Sequence, residues 1–380
     1  MELGAADVLA LRMTSLLLNT RTDGGQRPSG VAGVVTWFGA MQAQDAASVA
    51  WSLGVRLPSL TSTDVQTALE NRQALRTWPM RGTVHLVPSR DARWMLEVLG
   101  SYALANAAAR RTYLGLDDGS AEKAVDVLGA ALAGGGRLTR AQCLAALTDA
   151  GISTAGQRGY HLLWYASQRG VTCIAPNVGT EQTFALLDEW APDQHRLDRD
   201  EALATIALRY FRSHGPTTRR DFAGWTGLPA TDAKRGIAAA GEGLTTVRSG
   251  RAEMYLDPAL LAGPAAVTEP PDLGHDLLAL PGFDEYLLGY KDRSMMVDAE
   301  HKQAIIPGGN GVFQPTIVRA GRVIATWKRA PAKQRMVVDV RPLVRFGRTD
   351  RASVETALER YARFIGRPLQ VRWPTGSRAR

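Results

Sequence analysis

Two carboxamide side chains, those of Gln42 and Gln44, lie two residues apart within an otherwise apolar stretch at residues 31–50. In a helix, residues i and i+2 point to nearly opposite sides. The two side chains can therefore meet at one site only if the backbone between them forms a turn or an extended bend. We predict a tight bend between two helices that presents a small polar site.

An arginine and a histidine lie beside a second predicted turn. Arg81 and His85 flank Gly82, which lets a backbone approach closely. A single histidine is more often a structural hydrogen-bonding residue than a catalyst, so both interpretations of His85 stay open.

Two adjacent acids, Asp284 and Glu285, follow a Pro-Gly-Phe segment. Neighbouring residues of a strand face opposite sides. We therefore do not expect them to form a carboxylate pair of the glycosidase type.

A basic segment lies near the C-terminus. Residues 317–349 contain nine basic residues and one acid, Asp339, with Trp327 and Phe346 among them. A basic β-hairpin with aromatic side chains is typical of elements that follow a phosphate backbone or wedge into DNA. The alternative is a solvated sheet edge protected by charge. The candidate DNA-binding residues are Arg81, His85, Arg319, Arg322, Lys328 and Arg329.

Composition indicates a globular protein but leaves its partner open. The chain has 380 residues, 45% of them hydrophobic, which is enough for two or three domains with buried cores. Its net charge of +8 and pI of about 9.7 fit a nucleic-acid partner. The same bias towards Arg and Ala would follow from a GC-rich genome, so composition supports both explanations equally.

Several chemistries have no matching motif. The only cysteines, Cys143 and Cys173, form no CxxC pair, and there is no Walker A, HExxH, GxSxG or post-strand GxGxxG motif. We expect no metal and no cofactor. No apolar run reaches the roughly 20 residues that span a bilayer, so we expect a soluble, cytoplasmic protein.

One arrangement of helices, a polar turn, another helix and two strands recurs three times. The first copy is predicted from helices at 5–19, 31–40 and 65–71 and strands at 74–78 and 83–87. The second has helices at 141–150 and 159–169 and strands at 171–174 and 183–187. The third has helices at 219–226 and 231–240 and strands at 244–249 and 253–256. Beyond a proline-rich linker at 263–271, strands are predicted at 277–280, 311–318, 323–328, 336–340 and 369–373, and a helix at 352–365.

This order predicts an α+β fold of three tandem winged-helix (helix-turn-helix) units plus a C-terminal β-rich domain. The predicted domains are residues 1–90, which hold the Gln-x-Gln motif, and 91–190, 191–262 and 272–380. Tandem winged helices most often bind DNA, with a helix in a groove and the wing on phosphate. A scaffold or protein-contact role is the alternative, and three copies on a basic chain favour nucleic acid.

The chain resembles the winged-helix DNA glycosylases of the AlkZ/YcaQ type over nearly its whole length. The resemblance rests on several segments taken together, namely residues 41–45, 77–86, 215–217, 221–225 and 281–286. The Gln-x-Gln form of Gln42 and Gln44 corresponds to the AlkZ-like branch of that family.

The resemblance implies a DNA glycosylase that removes bulky N7-alkylated purines, with interstrand crosslinks as a further substrate. Both base excision repair and resistance to a DNA-alkylating antibiotic are roles within the family. An N7-alkylpurine is already cationic and leaves as a neutral base, so the enzyme need not protonate it. Gln42 and Gln44 are then the catalytic residues that hold the water and the deoxyribose. Asp45 is a rival general base, but we expect it to cap a helix at 46–55.

No lysine lies beside the Gln pair in the sequence, so we predict a monofunctional glycosylase without Schiff-base lyase chemistry. The expected partner is double-stranded DNA carrying alkylated purines, without a membrane. The resemblance further suggests a bacterial, nucleoid-associated monomer. The alternative function is a non-enzymatic winged-helix regulator or a sequestering resistance protein.

Overall fold

The structure, a computed structural model, describes residues 1–19, 27–262, 277–309, 311–332 and 334–374. The first elements in chain order are α1 (Ala5–Ser15), α2 (Gly30–Phe38), β1 (Met41–Gln42), α3 (Ala46–Arg56), α4 (Ser62–Glu70), β2 (Ala74–Met80) and β3 (Thr83–Pro88). Next come α5 (Ala92–Met95), α6 (Ser101–Asn106), α7 (Ala108–Tyr113), α8 (Asp118–Leu132), β4 (Arg137–Thr139), α9 (Arg140–Asp149), α10 (Arg158–Gln168), β5 (Thr172–Val178), β6 (Glu181–Leu186) and α11 (Leu187–Trp190).

The third stretch contains α12 (Arg199–His214), α13 (Arg219–Thr226), α14 (Ala230–Ala240), β7 (Thr245–Ser249), β8 (Ala252–Leu256) and α15 (Ala259–Ala262). The last contains β9 (Leu278–Leu280), α16 (Glu285–Leu288), α17 (Lys302–Ile305), β10 (Thr316–Arg319), β11 (Arg322–Ala330), β12 (Met336–Pro342), α18 (Arg348–Ile365) and β13 (Leu369–Arg372). The mixture of helix and sheet is the α+β class that the sequence predicts.

Most predicted elements lie within a few residues of their observed bounds, and the differences have local causes. The first helix ends at Ser15 rather than at residue 19 because Leu17 adopts a left-handed φ of 58°. Helix α18 begins four residues earlier than predicted because Asp350 accepts a hydrogen bond from the Gly347 N–H at 2.8 Å and stabilises its first turn. The linker predicted at 263–271 lies outside the described residues.

Two of the three predicted hairpins belong to one sheet. Its strand order is β1-β3-β2-β5-β6-β4, and β2 joins β5 through the pair Arg76 and Ile174. The sheet therefore continues across the predicted boundary at residue 90. Hairpin β7–β8 forms a separate two-stranded sheet, and the division into three winged-helix units stays a prediction.

The C-terminal β-rich region packs directly against the N-terminal helices. Its sheet has the order β13-β12-β11-β10-β9, and α18 packs on α3. Trp51 of α3 donates a hydrogen bond to the Ala279 carbonyl at 2.8 Å, and its ring lies 4.9 Å from Tyr361 and 5.2 Å from Phe364. A Cβ on Gly54 would lie only 2.6 Å from Phe364, so a larger residue there would separate the two helices. The helix that follows the Gln-x-Gln motif is therefore held by the C-terminal region.

A helical segment between residues 92 and 113 has no counterpart in the sequence prediction. It contains α5, α6 and α7, and a π-helical turn at Leu96–Gly100 interrupts it. Among the described residues, no helix is both long and apolar enough to cross a membrane.

Candidate active site

The Gln-x-Gln segment lies between α2 and α3, with Gln42 in the short strand β1 and Gln44 in the bend that precedes α3, in agreement with the predicted bend. Gln42 pairs with His85 across the β1–β3 ladder, and the Ala43 N–H donates to the Val84 carbonyl at 2.8 Å. Alternate residues of an extended segment share one side. This backbone therefore lets Gln42 and Gln44 point the same way, which a helix would not.

Both glutamine side chains make long hydrogen bonds to the hairpin β2–β3. The Gln42 Oε1 accepts from Arg81 at 3.3 Å, and the Gln44 Oε1 accepts from the Val84 N–H at 3.4 Å. Bonds between nitrogen and oxygen in proteins are usually 2.7–3.2 Å long, so these two are weak. Gln42 is half-buried and Gln44 is exposed. Both amides can exchange these contacts for a substrate or a water molecule.

Arg81 occupies a strained turn position beside Gln42. Arg81 and Gly82 form the two-residue turn of the hairpin, with φ values of 56° and 68°. Glycine adopts such a φ freely, whereas another residue in this region costs about 1–2 kcal/mol. Strain of this kind persists where the surrounding structure requires it, often at functional sites. Here it places the Arg81 guanidinium between Gln42 and His85.

His85 is fully buried and holds Arg81. Its Nδ1 lies 2.9 Å from the Thr83 carbonyl, which can only accept, so Nδ1 carries the proton and Nε2 accepts from Arg81 at 3.2 Å. Burial, and then the charge of Arg81, lower the pKa of His85 to about 3. His85 is therefore neutral near pH 7, and its ring does not reach the surface from which a DNA phosphate would be contacted.

Glu285 lies directly behind the Gln42 backbone and was not among the candidates from the sequence. Its Oε1 accepts from the Gln42 N–H at 2.9 Å. Its Oε2 accepts from Trp225 Nε1 at 2.9 Å and from His214 Nε2 at 3.4 Å. Burial alone would raise the pKa of Glu285, but these hydrogen bonds and the charge of His214 outweigh it and leave the pKa below its usual value. The site therefore contains a buried carboxylate ion.

The neighbouring Asp284 has a different partner. The sequence predicts that the two acids are neighbours in a strand, which is wrong, because Asp284 caps the short helix α16 and Glu285 is the first residue of that helix. Asp284 forms a buried ion pair with Arg56 at 2.8 Å and accepts from Ser52 at 2.6 Å. Burial would raise the pKa of Asp284, but the charge and hydrogen bonds of Arg56, together with the hydrogen bonds from Ser52 and the Tyr286 N–H, outweigh it and leave the pKa below its usual value. Two adjacent acids in an otherwise apolar segment are the sequence signal for these buried carboxylates.

A cavity of about 250 Å³ opens beside Gln42. Its lining includes the basic residues Arg81, Lys291 and Arg293, which make the cavity cationic. Trp225 also lines it. The sequence shows no lysine beside the Gln pair, but the fold brings Lys291 into the same cavity. The Lys291 N–H donates to Asp221 at 2.7 Å, so the first turn of α13 positions this residue.

Comparisons with known proteins agree with this geometry. A family model described as DNA glycosylase AlkZ-like matches residues 35–364. This chain belongs to the AlkZ-like DNA glycosylase family. It is 28% identical over 382 residues to an interstrand DNA cross-link repair glycosylase of Streptomyces sahachiroi, covering 96% of each protein. It also matches the solved structure of the Streptomyces sahachiroi DNA glycosylase AlkZ with a TM-score of 0.79 and 25% identity, covering 98% of this chain and 100% of that one. The family predicted from the sequence motifs is confirmed.

In this AlkZ-like chain, Asp45 has the capping role that the sequence predicts. Its carboxylate accepts from the Ser48 N–H at 2.7 Å at the start of α3. The same bond orients α3 relative to the Gln-x-Gln segment.

The basic residues of the C-terminal sheet are separate from the Gln42 cavity of this AlkZ-like chain, whose lining does not include them. Arg319 pairs with Asp350 at 2.6 Å, and Arg322 pairs with Asp298. Lys328 and Arg329 are exposed near the end of β11. Arg329 also donates to the Tyr361 hydroxyl at 3.2 Å, and Lys328 lies opposite Asp339.

Proposed function

We propose that this glycosylase hydrolyses the N-glycosidic bond of bulky N7-alkylguanine adducts in duplex DNA, interstrand crosslinks among them, and leaves an abasic site. The observation that carries the proposal is the combination of the Gln42 and Gln44 amides with a neutral His85. An imidazole with a pKa of about 3 cannot protonate a leaving base near pH 7. A cationic N7-alkylguanine needs no such proton, because the bonding electrons neutralise the ring as it leaves.

The reaction then places little demand on acid–base chemistry. As the bond breaks, the deoxyribose becomes an oxocarbenium ion, and water adds to C1′ while its proton passes to solvent. Gln42 and Gln44 orient that water and the sugar. The Glu285 carboxylate fixes the Gln42 backbone by its 2.9 Å hydrogen bond and adds a negative field that favours the cationic sugar. Arg81, Lys291 and Arg293 are suited to hold the flanking phosphates.

The name of the Streptomyces sahachiroi relative supports a crosslink as substrate. We propose that this chain, acting as a monomer on double-stranded DNA, serves either general repair or self-resistance. A lesion attached to both strands cannot enter a closed pocket whole. The half-buried Gln42 and the exposed Gln44 are compatible with reaction at such a base.

The test uses duplex DNA with a single N7-methylguanine or an N7-linked interstrand crosslink. We expect the wild type to release the base and the Gln42→Ala/Gln44→Ala variant to lose at least 100-fold in single-turnover rate, as when positioned amide dipoles are removed elsewhere. Its DNA affinity should be unchanged. Tight binding by the wild type without release from either duplex would instead identify a DNA-binding protein that is not an enzyme.

We also propose that the enzyme is monofunctional, and Lys291 makes this point testable. A lysine that forms a Schiff base is activated by desolvation or by a neighbouring cation. The Lys291 side chain is exposed, although Arg81 and Arg293 line the same cavity. After base release, borohydride should trap no covalent complex between the wild type and DNA. Trapping that disappears in Lys291→Arg, but persists in Lys302→Arg, would identify Lys291 as a lyase nucleophile.

A further inference from the structure

A second cavity, of about 420 Å³, shares Arg81 as a lining residue with the Gln42 cavity. Its volume lies within the range of about 300–1,000 Å³ that is usual for small-molecule sites. Aromatic side chains dominate one wall, namely those of Tyr102, Tyr160, His161 and Trp164. We refer to it as the aromatic cavity.

The aromatic rings are held in place without a ligand. The rings of His161 and Trp164 lie 5.2 Å apart at an interplanar angle of 35°. The Tyr102 hydroxyl donates to Asp232 and accepts from Arg199 at 2.6 Å. Tyr160 is 43% exposed, and the Arg140 guanidinium lies 5.8 Å from the centre of its ring over one face, which leaves the other face for a ligand. Fixed aromatic faces of this kind stack on planar groups at little entropic cost.

His161 adds a polar group to this wall. It is 7% exposed, and its Nε2 is buried without a hydrogen-bond partner among the described residues. Burial, and then the charges of Arg111 and Arg110, lower the pKa of His161, so the ring is neutral near pH 7. A buried polar atom without a partner costs free energy. A small rearrangement that lets a ligand bond to this nitrogen would recover that free energy.

Helices α6 and α7 also contribute to the lining of the cavity, and Tyr102 itself lies on α6. Neither α6 nor α7 contains a buried residue, yet Asn106 and Arg110 of these helices line the cavity. The π-helical turn at Leu96–Gly100 immediately precedes α6, and Leu99 of this turn lines the cavity as well. Such turns occur frequently at functional sites.

We propose that the aromatic cavity binds a planar aromatic group with a hydrogen-bonding edge that is turned out of the DNA helix beside Gln42. This inference rests on the proposed glycosylase function, which it extends. The alkylguanine base has both the planar face and the hydrogen-bonding edge, whereas an aromatic substituent on its N7 can supply the planar face. Arg81 is the boundary residue in both cases, with the sugar on the Gln42 side and the planar group on the other.

The experiment compares Tyr160→Ala and His161→Phe with the wild type on two duplexes, one carrying N7-methylguanine and one carrying N7-benzylguanine. Tyr113→Ala is the matched control, because Tyr113 is 78% exposed and does not line the cavity. Loss of one base–aromatic stack should lower the single-turnover rate at subsaturating enzyme by about five- to 150-fold. His161→Phe keeps the ring and removes the nitrogens, so it tests the polar edge.

Each outcome is informative. An equal loss on both duplexes places the base in the aromatic cavity, and a loss confined to N7-benzylguanine places the substituent there. Unchanged rates on both duplexes for Tyr160→Ala and His161→Phe overturn the proposal. Base release by the wild type tests the proposed glycosylase activity, and this test does not depend on the rates of the cavity variants.

A binding measurement covers the case in which the enzyme is inactive on both duplexes. In a Gln42→Ala/Gln44→Ala background, fluorescence anisotropy should show tighter binding to the N7-benzylguanine or N7-methylguanine duplex than to unmodified DNA. Tyr160→Ala should abolish that preference and Tyr113→Ala should keep it. A preference that survives Tyr160→Ala would also overturn the proposal.

Discussion

Charged side chains are buried beneath the Gln42 bend, whereas along β11 they lie at the surface. Glu285 is 1% exposed and accepts three hydrogen bonds, and Asp284 forms a buried pair with Arg56. Lys328 and Arg329 are exposed to solvent. A buried charge that loses its partner keeps its desolvation cost, while a surface charge loses little. The first group therefore determines the geometry of the bend, and the second can contribute attraction to DNA.

The largest expected effect is on the buried ion pair. Arg56→Ala leaves Asp284 buried without its cation and should lower the free energy of unfolding by about 3–5 kcal/mol. The matched substitution in a surface ion pair, Arg319→Ala, should lower the free energy of unfolding by only about 0–1 kcal/mol. Urea denaturation at pH 7 measures both. Equal decreases in the free energy of unfolding for the two variants would show that the buried ion pair stabilises the protein no more than the surface pair does.

Glu285→Gln tests whether the buried carboxylate also acts on the reaction. It keeps the size of the side chain but removes the negative charge behind Gln42. We expect the single-turnover rate at saturating enzyme to fall about 10- to 100-fold with little change in DNA affinity. A purely structural role predicts an unchanged rate for the folded fraction. Circular dichroism at the assay temperature gives that fraction, and Glu300→Gln, at an exposed position, is the control.

His85 should make stability depend on pH. Its pKa is lowered from 6.5 to about 3, so the unfolded chain takes up a proton that the folded chain does not. The folded state therefore loses stability as the pH falls below 6.5 towards 3, by about 2 kcal/mol between pH 7 and pH 5. His85→Gln should remove that part of the dependence. Identical pH profiles for wild type and variant in urea denaturation would contradict the assignment.

The smallest effect is expected on β11. Lys328→Ala and Arg329→Ala should each weaken binding to any duplex and reduce the slope of log affinity against log salt by about one. The excision rate at saturating enzyme should not change. Arg322→Ala is the comparison, because Arg322 is already paired with Asp298. If the slope of log affinity against log salt is the same in the wild type and in all variants, β11 does not contribute to DNA binding.

Local chemistry explains what the sequence predicted well. Capping residues such as Asp45 and Thr218 mark the starts of α3 and α13, and apolar periodicity marks the helices themselves. The prediction of a turn or extended bend at the Gln-x-Gln segment rests only on the geometry of residues two positions apart. These signals act over a few residues and do not depend on how distant segments of the chain pack together.

The rest depends on contacts between segments far apart in the chain. Neither the pairing of Glu285 with Gln42 nor the entry of Lys291 into the same cavity has a local signal. The partners of the two adjacent acids, Arg56 for Asp284 and Trp225 and His214 for Glu285, are likewise distant in the sequence. The aromatic cavity has no local signal either, because its lining comes from helices that are separate in the chain, α6, α7 and α10 among them.

The bonds of Glu285 have a consequence for how the protein becomes active. Gln42 comes from the N-terminal stretch, Trp225 and His214 from the third, and Glu285 from the last. Until all three stretches have docked, the Gln42 backbone lacks its support. A nascent or truncated chain that lacks the last stretch would therefore leave the Gln-x-Gln segment without the carboxylate that fixes it, so this part of the site is completed only when the C-terminal region has folded onto the rest.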